Sequence, residues 1–146
     1  MLVINQEYKF KFVIPDEYQE IGKDKYQEYG IDDSTLHVFV KMVNSLPHTI
    51  SINRDDTVED ENDYLSLINL NTENMTLMGM KVGNTMTKYI NNRRIDIVTS
   101  SYKGLKFVTY FTVIHKMMIA SSVEIDEKDS EDEKTLAALF ASIEEF

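Results

Sequence analysis

The sequence predicts an α+β domain: a central, mostly antiparallel sheet of about six strands with helices packed on its faces. Segments rich in aromatic and β-branched residues follow one another across short turns, which is typical of antiparallel strands. Only two segments have helical character, and they do not alternate with the strands as they would in a doubly wound fold.

An alternating segment near the start predicts the first strand. From Tyr8 to Ile14, every second residue is aromatic or aliphatic, which indicates a half-buried strand with one apolar face. Pro15 ends this strand, because proline has no N–H to donate to a ladder. The polar residues 16–30 that follow predict a loop with one helical turn.

Two further strands are expected before the first helix. The segment Leu36–Val43 is apolar at nearly every position except His37 and Lys41, which favours a central strand covered on both faces. Ser45–Pro47 predicts a turn, and Thr49–Asn53 predicts a short strand after it.

The first helix is predicted from its acidic start. Asp55, Asp56 and Thr57 offer N-capping oxygens, and the acidic residues after them suit the positive end of a helix dipole. We therefore expect a helix from about this point to Met78. The same acidic run could attract calcium, but it lacks the glycine and the final glutamate of an EF-hand loop.

Two hairpins are expected after this helix. In the first, Asn91-Asn92 joins the strands Met80–Ile90 and Arg93–Ser100. Asparagine tolerates the left-handed backbone conformation that a tight hairpin turn needs. Leu105–Ile114 and Met117–Ile125 form the second strand pair.

The chain closes with an acidic turn, Asp126–Glu133, and an amphipathic helix. Ser130 and Glu133 have the spacing of a capping box, so the helix should begin near Ser130. Apolar residues then recur at helical spacing. They are Leu136, Leu139, Phe140, Ile143 and Phe146.

Length and charge limit the functions that are open to this chain. Its 146 residues predict a single domain spanning residues 1–146. Asp and Glu outnumber Lys and Arg by 25 to 15, and the net charge of −10 argues against a nucleic-acid partner. The chain has no Cys, which excludes disulfides, thiolate metal ligands and a Cys nucleophile.

The sequence also predicts a cytoplasmic protein without a membrane span. No stretch approaches the roughly 20 apolar residues that a membrane-spanning helix needs. The start of the chain has only a short apolar stretch, Leu2–Ile4, before polarity returns, which is unlike a signal peptide.

No catalytic signature stands out. The histidines His37, His48 and His115 are too scattered to form a local metal pair. Ser100 and Lys103 match a bare S-x-x-K pattern, but the companion motifs of the penicillin-recognising enzymes are missing. We therefore expect no catalytic residue, cofactor or metal, while an enzyme or ligand carrier with a dispersed site built from His37, His48 or Glu124 remains an alternative.

Methionine and tyrosine are the residues most suited to a contact surface. The eight methionines either fill the core or form an adaptable apolar surface for a peptide or helix. Tyrosines in the polar loop bury contact area at low entropy cost. The predicted partner-contact residues are Tyr18, Tyr26, Tyr29, Met78 and Met80.

Both ends of the chain resemble one known group of proteins. Near the start, the segment Phe10–Pro15 is similar to an early strand of that group that ends in "F-x-I-P". Near the end, strands that contain Tyr110-Phe111 and Ile119–Ser121 are followed by a helix that ends in Phe140–Phe146. This layout resembles the PsbP/DcrB-like superfamily, which includes the photosystem II extrinsic protein PsbP and the eukaryotic Ran-binding import factor. The resemblance implies an antiparallel sheet with helices on both sides, and a largely non-catalytic group that works by binding other proteins.

These observations favour a non-enzymatic protein- or peptide-binding domain, adaptor-like or chaperone-like in character. An acidic, dimeric chaperone of the secretion type is a second alternative, although such proteins typically open with a helix and this chain opens with a strand. The sequence leaves the partner and the oligomeric state open.

Overall fold

The computed structural model describes residues 1–126 and 131–146, and this part of the chain has the expected α+β architecture. The strands are β1 (Leu2–Asn5), β2 (Phe10–Val13), β3 (Gln19–Glu20), β4 (Thr35–Val43), β5 (Leu46–Thr57), β6 (Lys81–Ile90), β7 (Arg93–Tyr102), β8 (Leu105–Ile114), β9 (Met117–Ile125) and β10 (Glu144–Glu145), and the helices are α1 (Glu61–Leu77) and α2 (Glu131–Ala141).

The strands form two antiparallel sheets within the described residues. The large sheet has seven strands in the order β3-β4-β5-β9-β8-β7-β6, and the small sheet has the order β1-β2-β10. The expected sheet of about six strands is therefore the large one, with the two-residue β3 added at its edge.

Each face of the large sheet has its own core. On one face, the small sheet and α2 cover the strands, and this larger core includes Phe10, Phe12, Phe39, Ile50, Tyr110, Ile119, Leu136 and Phe140. On the other face, Tyr64 and Ile68 of α1 pack on Val98, Phe111 and Met118. The sequence analysis predicts helices packed on the faces of the sheet, and α2 and α1 each cover one face.

The start of the chain differs from the prediction. The first predicted strand is confirmed in its middle, as β2, but β1 was missed and pairs with it from Leu2↔Val13 to Asn5↔Phe10. Lys9, with a φ of 58°, lies in the turn that precedes β2. The loop over residues 16–30 contains the expected helical turn, at Lys23–Lys25, and also β3.

Two predictions around β5 are wrong. They are the turn at Ser45–Pro47 and the helix start at Asp55–Thr57. The turn lies one residue earlier, at Asn44 and Ser45, whose φ angles are 51° and 64°. β5 begins at Leu46 and continues to Thr57, because its end pairs with β9 through Thr57↔Met117. Asp60 is the N-cap instead, and its Oδ1 accepts a 2.8 Å hydrogen bond from the backbone N–H of Asp63.

The predicted central position of Leu36–Val43 is also wrong, because β4 lies second from the sheet edge, between β3 and β5. Both predicted hairpins are confirmed, and Asn91 and Asn92 have φ angles of 52° and 63°. The last helix ends at Ala141, so Phe146 lies beyond it, where its N–H donates to the Lys9 carbonyl. The capping box predicted at Ser130 lies outside the described residues.

Neither α1 nor α2 is long and apolar enough to span a membrane, within residues 1–126 and 131–146.

Candidate functional site

The outer edge of the large sheet is formed by β6. This ten-residue strand pairs with β7 on one side, and no described residue pairs with its other side. The hairpin closes with Ile90 opposite Arg93 across a two-residue turn. In an antiparallel ladder with this turn, alternate residues direct their N–H and C=O groups outward. These outward residues are Thr85, Thr87 and Tyr89.

Four apolar side chains gather at the end of the molecule where α1 meets β6. Leu77 is 84% exposed and Met78 is 73% exposed, while Tyr102 and Leu105 are about half as exposed. Tyr102 and Leu105 face each other across the β7–β8 ladder, and the Tyr102 ring lies 3.4 Å from the Cβ position of Gly79. We call Leu77, Met78, Tyr102 and Leu105 the end patch.

A cleft with a volume of about 480 Å³ lies between the start of α1 and the β6–β7 hairpin. Its walls include Val58, Tyr64, Asn92, Arg94, Val113 and Lys116. The sheet places a buried carboxylate beside it.

That carboxylate belongs to Asp96, which is 1% exposed and accepts hydrogen bonds from three side chains. The Tyr64 hydroxyl donates to Oδ2 and the Thr87 hydroxyl to Oδ1, each at 2.6 Å. Arg94 donates to Oδ2 through Nε at 3.0 Å, and its guanidinium also pairs with Glu61. A buried charge needs such partners, since an unpaired one is strongly destabilising.

This network shifts the pKa of two of its members. Burial raises the pKa of the Tyr64 hydroxyl, and its hydrogen bond to Asp96 raises it further. The hydrogen bond to Asp96 raises the pKa of the Arg94 guanidinium, against the opposing effect of burial. Tyr64 therefore stays protonated at neutral pH and acts as a hydrogen-bond donor.

The other cations that line the cleft are also paired. Arg93 donates to the carbonyl oxygen of Val113 at 2.6 Å and to Glu145 at 3.1 Å, and Lys116 lies 3.4 Å from a carboxylate oxygen of Glu59. The three cations that line the cleft within the described residues are therefore paired, and the Arg94–Glu61 pair joins α1 to β7.

Two of the predicted partner-contact residues are buried. Tyr18 is 2% exposed, its hydroxyl donates to Asp132 at 3.1 Å, and the Lys41 ammonium lies 5.6 Å from its ring centre. Tyr26 is also buried, and its hydroxyl has no hydrogen-bond partner among the described residues. Their side chains are held inside the fold.

The other three predicted contact residues are more accessible. Tyr29 is 60% exposed, Met78 belongs to the end patch, and Met80 is half-buried. Leu77, Tyr102 and Leu105 are not among the predicted contact residues, because each fits the apolar pattern of its own helix or strand. Partner contact by the five predicted residues stays a prediction, and their exposure favours Tyr29 and Met78.

The residues of the hypothetical dispersed site have separate partners. His37 is buried, with Nε2 3.0 Å from Asn5 Nδ2 and Nδ1 2.8 Å from Glu20. The Nδ1 atom of His48 lies 2.6 Å from Asp132, in the first turn of α2. Glu124 is exposed on β9 and pairs with Phe107 of β8 in the ladder.

No metal site is seen in the described ranges. Across residues 1–126 and 131–146, no three His, Asp or Glu side chains are placed to hold an ion together. His115 bonds to the Lys9 carbonyl oxygen at 2.8 Å.

Comparison with known proteins identifies the fold through structure rather than sequence. No family model matches the sequence, and no curated protein matches it. The solution structure of cyanobacterial PsbP from Synechocystis sp. PCC 6803 matches with a TM-score of 0.70 at 10% identity, over 100% of this chain and 92% of that one. The chain has a PsbP-like fold.

Two other solved structures share this PsbP-like fold. A Bacteroides thetaiotaomicron protein matches with a TM-score of 0.58 at 10% identity, over 99% of this chain and 48% of that one. A Pseudomonas aeruginosa protein of unknown function matches with a TM-score of 0.54 at 14% identity, over 94% of this chain and 90% of that one. Identities this low establish the shared fold alone.

Proposed function

We propose that this chain is a non-enzymatic binding domain for another protein or a peptide, and that it makes contact through the end patch. The observation that carries the proposal is the exposure of Leu77 and Met78, which directly precede Gly79 at the Tyr102 ring, together with that of Tyr102 and its ladder partner Leu105. Clustered exposed apolar side chains are typical of interaction sites, whereas single ones are ordinary.

The end patch suits binding for two physical reasons. Burying Leu77 and Met78 would remove apolar surface from water, and such burial contributes about 25 cal/mol per Å². The flexible Met78 side chain can adapt to a partner, while Tyr102 offers a rigid aromatic surface. Tyr102 and Leu105 of the patch lie on the paired strands β7 and β8, which hold them in place.

Charge and composition define the kind of partner in this proposal. A net charge of −10 favours a protein or peptide over nucleic acid. We include a single domain over residues 1–146 and a cytoplasmic location in the proposal, both as predictions from the sequence. An adaptor-like or chaperone-like role is consistent with a surface that adapts to its partner.

Site-specific crosslinking tests the proposal. A photoreactive residue at position 78 should crosslink the chain to a partner in the native host. The same photoreactive residue in place of Tyr29 tests whether the loop over residues 16–30 also contacts that partner. The identified partner is then titrated against L77K/M78K. Leu46 provides the matched control, because it is similarly exposed at the β4–β5 turn, away from the end patch.

We expect L77K/M78K to weaken partner binding by at least about tenfold, since each lysine would have to be desolvated in an apolar contact. L46K should leave both binding and unfolding unchanged. Equal affinities for wild type and L77K/M78K would overturn the proposal.

A further inference from the structure

We infer that the free edge of β6 binds an extended, acidic segment of a partner as an added strand. This inference rests on the proposed function and deepens it, because it names the partner's conformation and charge. β6 and the end patch adjoin each other, since only Met78–Met80 separates α1 from β6. One partner could therefore contact both.

The backbone of β6 is suited to accept a strand. Thr85, Thr87 and Tyr89 direct their N–H and C=O groups away from β7, which gives a partner hydrogen-bonding positions at every second residue. Strand addition at an exposed sheet edge is a recurring mode of peptide recognition. The opposite edge offers far less, because β3 has only two residues.

The charge of β6 decides which partner fits. The strand contains Lys81 and Lys88 and no acidic residue, in a chain with a net charge of −10. Neither lysine forms an ion pair with the described residues, whereas Lys11, Lys23 and Lys41 each pair with a glutamate. The two lysines are thus free to meet carboxylates brought by a partner.

Both lysines project from the same face of the sheet. Lys81 lies opposite Ser101 and Lys88 lies opposite Ile95, and these two β7 residues share a face because they are separated by an even number of positions. A β-bulge in β6 between Val82 and Thr85 produces this alignment. An added strand with acidic residues on that face would meet both ammonium groups.

A second copy of this chain fits the edge less well. Lysines and bulges on edge strands oppose pairing between identical edges, and Lys81 and Lys88 would bring like charges together. The same lysines that oppose self-pairing attract an acidic strand.

Designed peptides test the inference on the full chain. The probe is an acetylated peptide in which Glu and Val alternate, and the matched peptides replace every Glu with Gln or with Lys. Affinity is measured by titration, and hydrogen exchange locates the protected amides. We expect the Glu peptide to bind several-fold more tightly than the Gln peptide, as two exposed ion pairs allow, to bind more tightly still relative to the Lys peptide, and to protect Thr85, Thr87 and Tyr89.

Two variants locate the binding. T85P removes an outward N–H without removing a bond to β7 and should abolish binding, whereas T85A should retain it. K81E/K88E leaves the backbone edge intact and should reverse the preference toward the Lys peptide, so the test does not depend on the proline variant folding.

Several outcomes would overturn the inference: equal affinity for the three peptides, protection confined to another strand, or no effect of K81E/K88E. A dimer of the peptide-free chain that T85P dissolves would show that a second copy occupies the edge. If these peptides fail while the partner crosslinked at position 78 still depends on Leu77 and Met78, only the inference about the edge fails. If binding of the crosslinked partner also proves to be independent of Leu77 and Met78, the proposed function fails as well.

Discussion

Tyr64 reaches from α1 to the large sheet and donates a 2.6 Å hydrogen bond to the buried carboxylate of Asp96. Its hydroxyl also lies 3.2 Å from the carbonyl oxygen of Phe111. The aromatic ring packs in the core beneath α1, so one side chain provides both apolar contact and a partner for a buried charge. This contact holds the start of α1 to the sheet.

Removing the Tyr64 hydroxyl should destabilise the protein. Y64F keeps the ring but leaves Asp96 with one donor fewer, and we expect a loss of about 1–3 kcal/mol in the free energy of unfolding. Y89F is the control, because Tyr89 is exposed, and its effect should stay within about 0.5 kcal/mol. Urea titration measures both. Equal unfolding midpoints for Y64F and wild type would contradict the assigned role.

The raised pKa of Tyr64 predicts a loss of stability in alkali. Above about pH 10 the unfolded chain releases the Tyr64 proton while the folded chain keeps it, so the free energy of unfolding falls as pH rises further. Burial also raises the pKa of Tyr18, Tyr26 and Tyr110, so several tyrosines contribute. Y64F should show a shallower fall than wild type.

Denaturant titrations across the alkaline range, with tyrosinate absorbance as the ionisation signal, measure this difference. Parallel profiles for Y64F and wild type above about pH 10 would show that Tyr64 ionises as easily in the folded chain as in the unfolded one.

Asn5 should select one tautomer of His37. The Oδ1 atom of Asn5 accepts the Tyr8 N–H at 2.8 Å, so its amide nitrogen faces Nε2 of His37. Nε2 must therefore accept, and the proton resides on Nδ1, which lies 2.8 Å from Glu20. Ring nitrogen chemical shifts of the neutral imidazole should report the Nδ1–H form.

Substitution of Asn5 tests the energetic side of this contact. N5A should lower the free energy of unfolding by about 1–3 kcal/mol, because buried polar atoms lose their partner. Asn69, which is exposed on α1, is the control, and N69A should change stability by less than about 0.5 kcal/mol. A dominant Nε2–H signal from His37 would refute the orientation of the amide.

Gly83 should resist substitution because of Thr99. A Cβ at Gly83 would lie 2.7 Å from the Thr99 hydroxyl oxygen, which also accepts the Asn84 N–H at 3.1 Å. We expect G83A to destabilise the chain by about 1–3 kcal/mol through overpacking at the β-bulge. In the double variant G83A/T99A the added penalty should shrink, and a double-mutant cycle by urea unfolding measures it. Strictly additive effects would argue against the clash.

Two phenylalanines near the end of the chain should differ sharply. Phe140 is buried, with its ring centre 5.4 Å from that of Tyr110, whereas Phe146 is about half exposed. F140A should cost about 3–5 kcal/mol, and F146A less than about 1 kcal/mol. Thermal or urea unfolding compares them. Similar losses for the two variants would mean that α2 does not bury Phe140 against Tyr110.

Local sequence determined the hairpins of this protein. Asn91-Asn92, Lys103-Gly104 and His115-Lys116 all adopt positive φ, and each joins strands whose apolar residues already follow strand periodicity. A turn and its flanking strands are neighbours in the chain, so their chemistry can be interpreted without knowledge of the rest.

Competition between elements limited the prediction elsewhere. Asp55–Thr57 has good capping residues, yet these residues extend β5 because Thr57 pairs with Met117 of β9. The small sheet escaped prediction for a similar reason, since β10 has only two residues and forms by pairing with β2. Contacts between distant parts of the chain outweighed local preference in both cases.

The amino-acid order alone thus determined the class of the fold, the hairpin turns from Asn91 onward, and the acidic, cysteine-free character of the chain. Tertiary packing decided which similar residues became interior and which became surface: it buried Tyr18 and left Tyr29 exposed, and it placed α1 over Asp96. The physical reason is that the exposure of a side chain depends on which other part of the chain packs over it. The periodicity of a single segment contains no information about that packing.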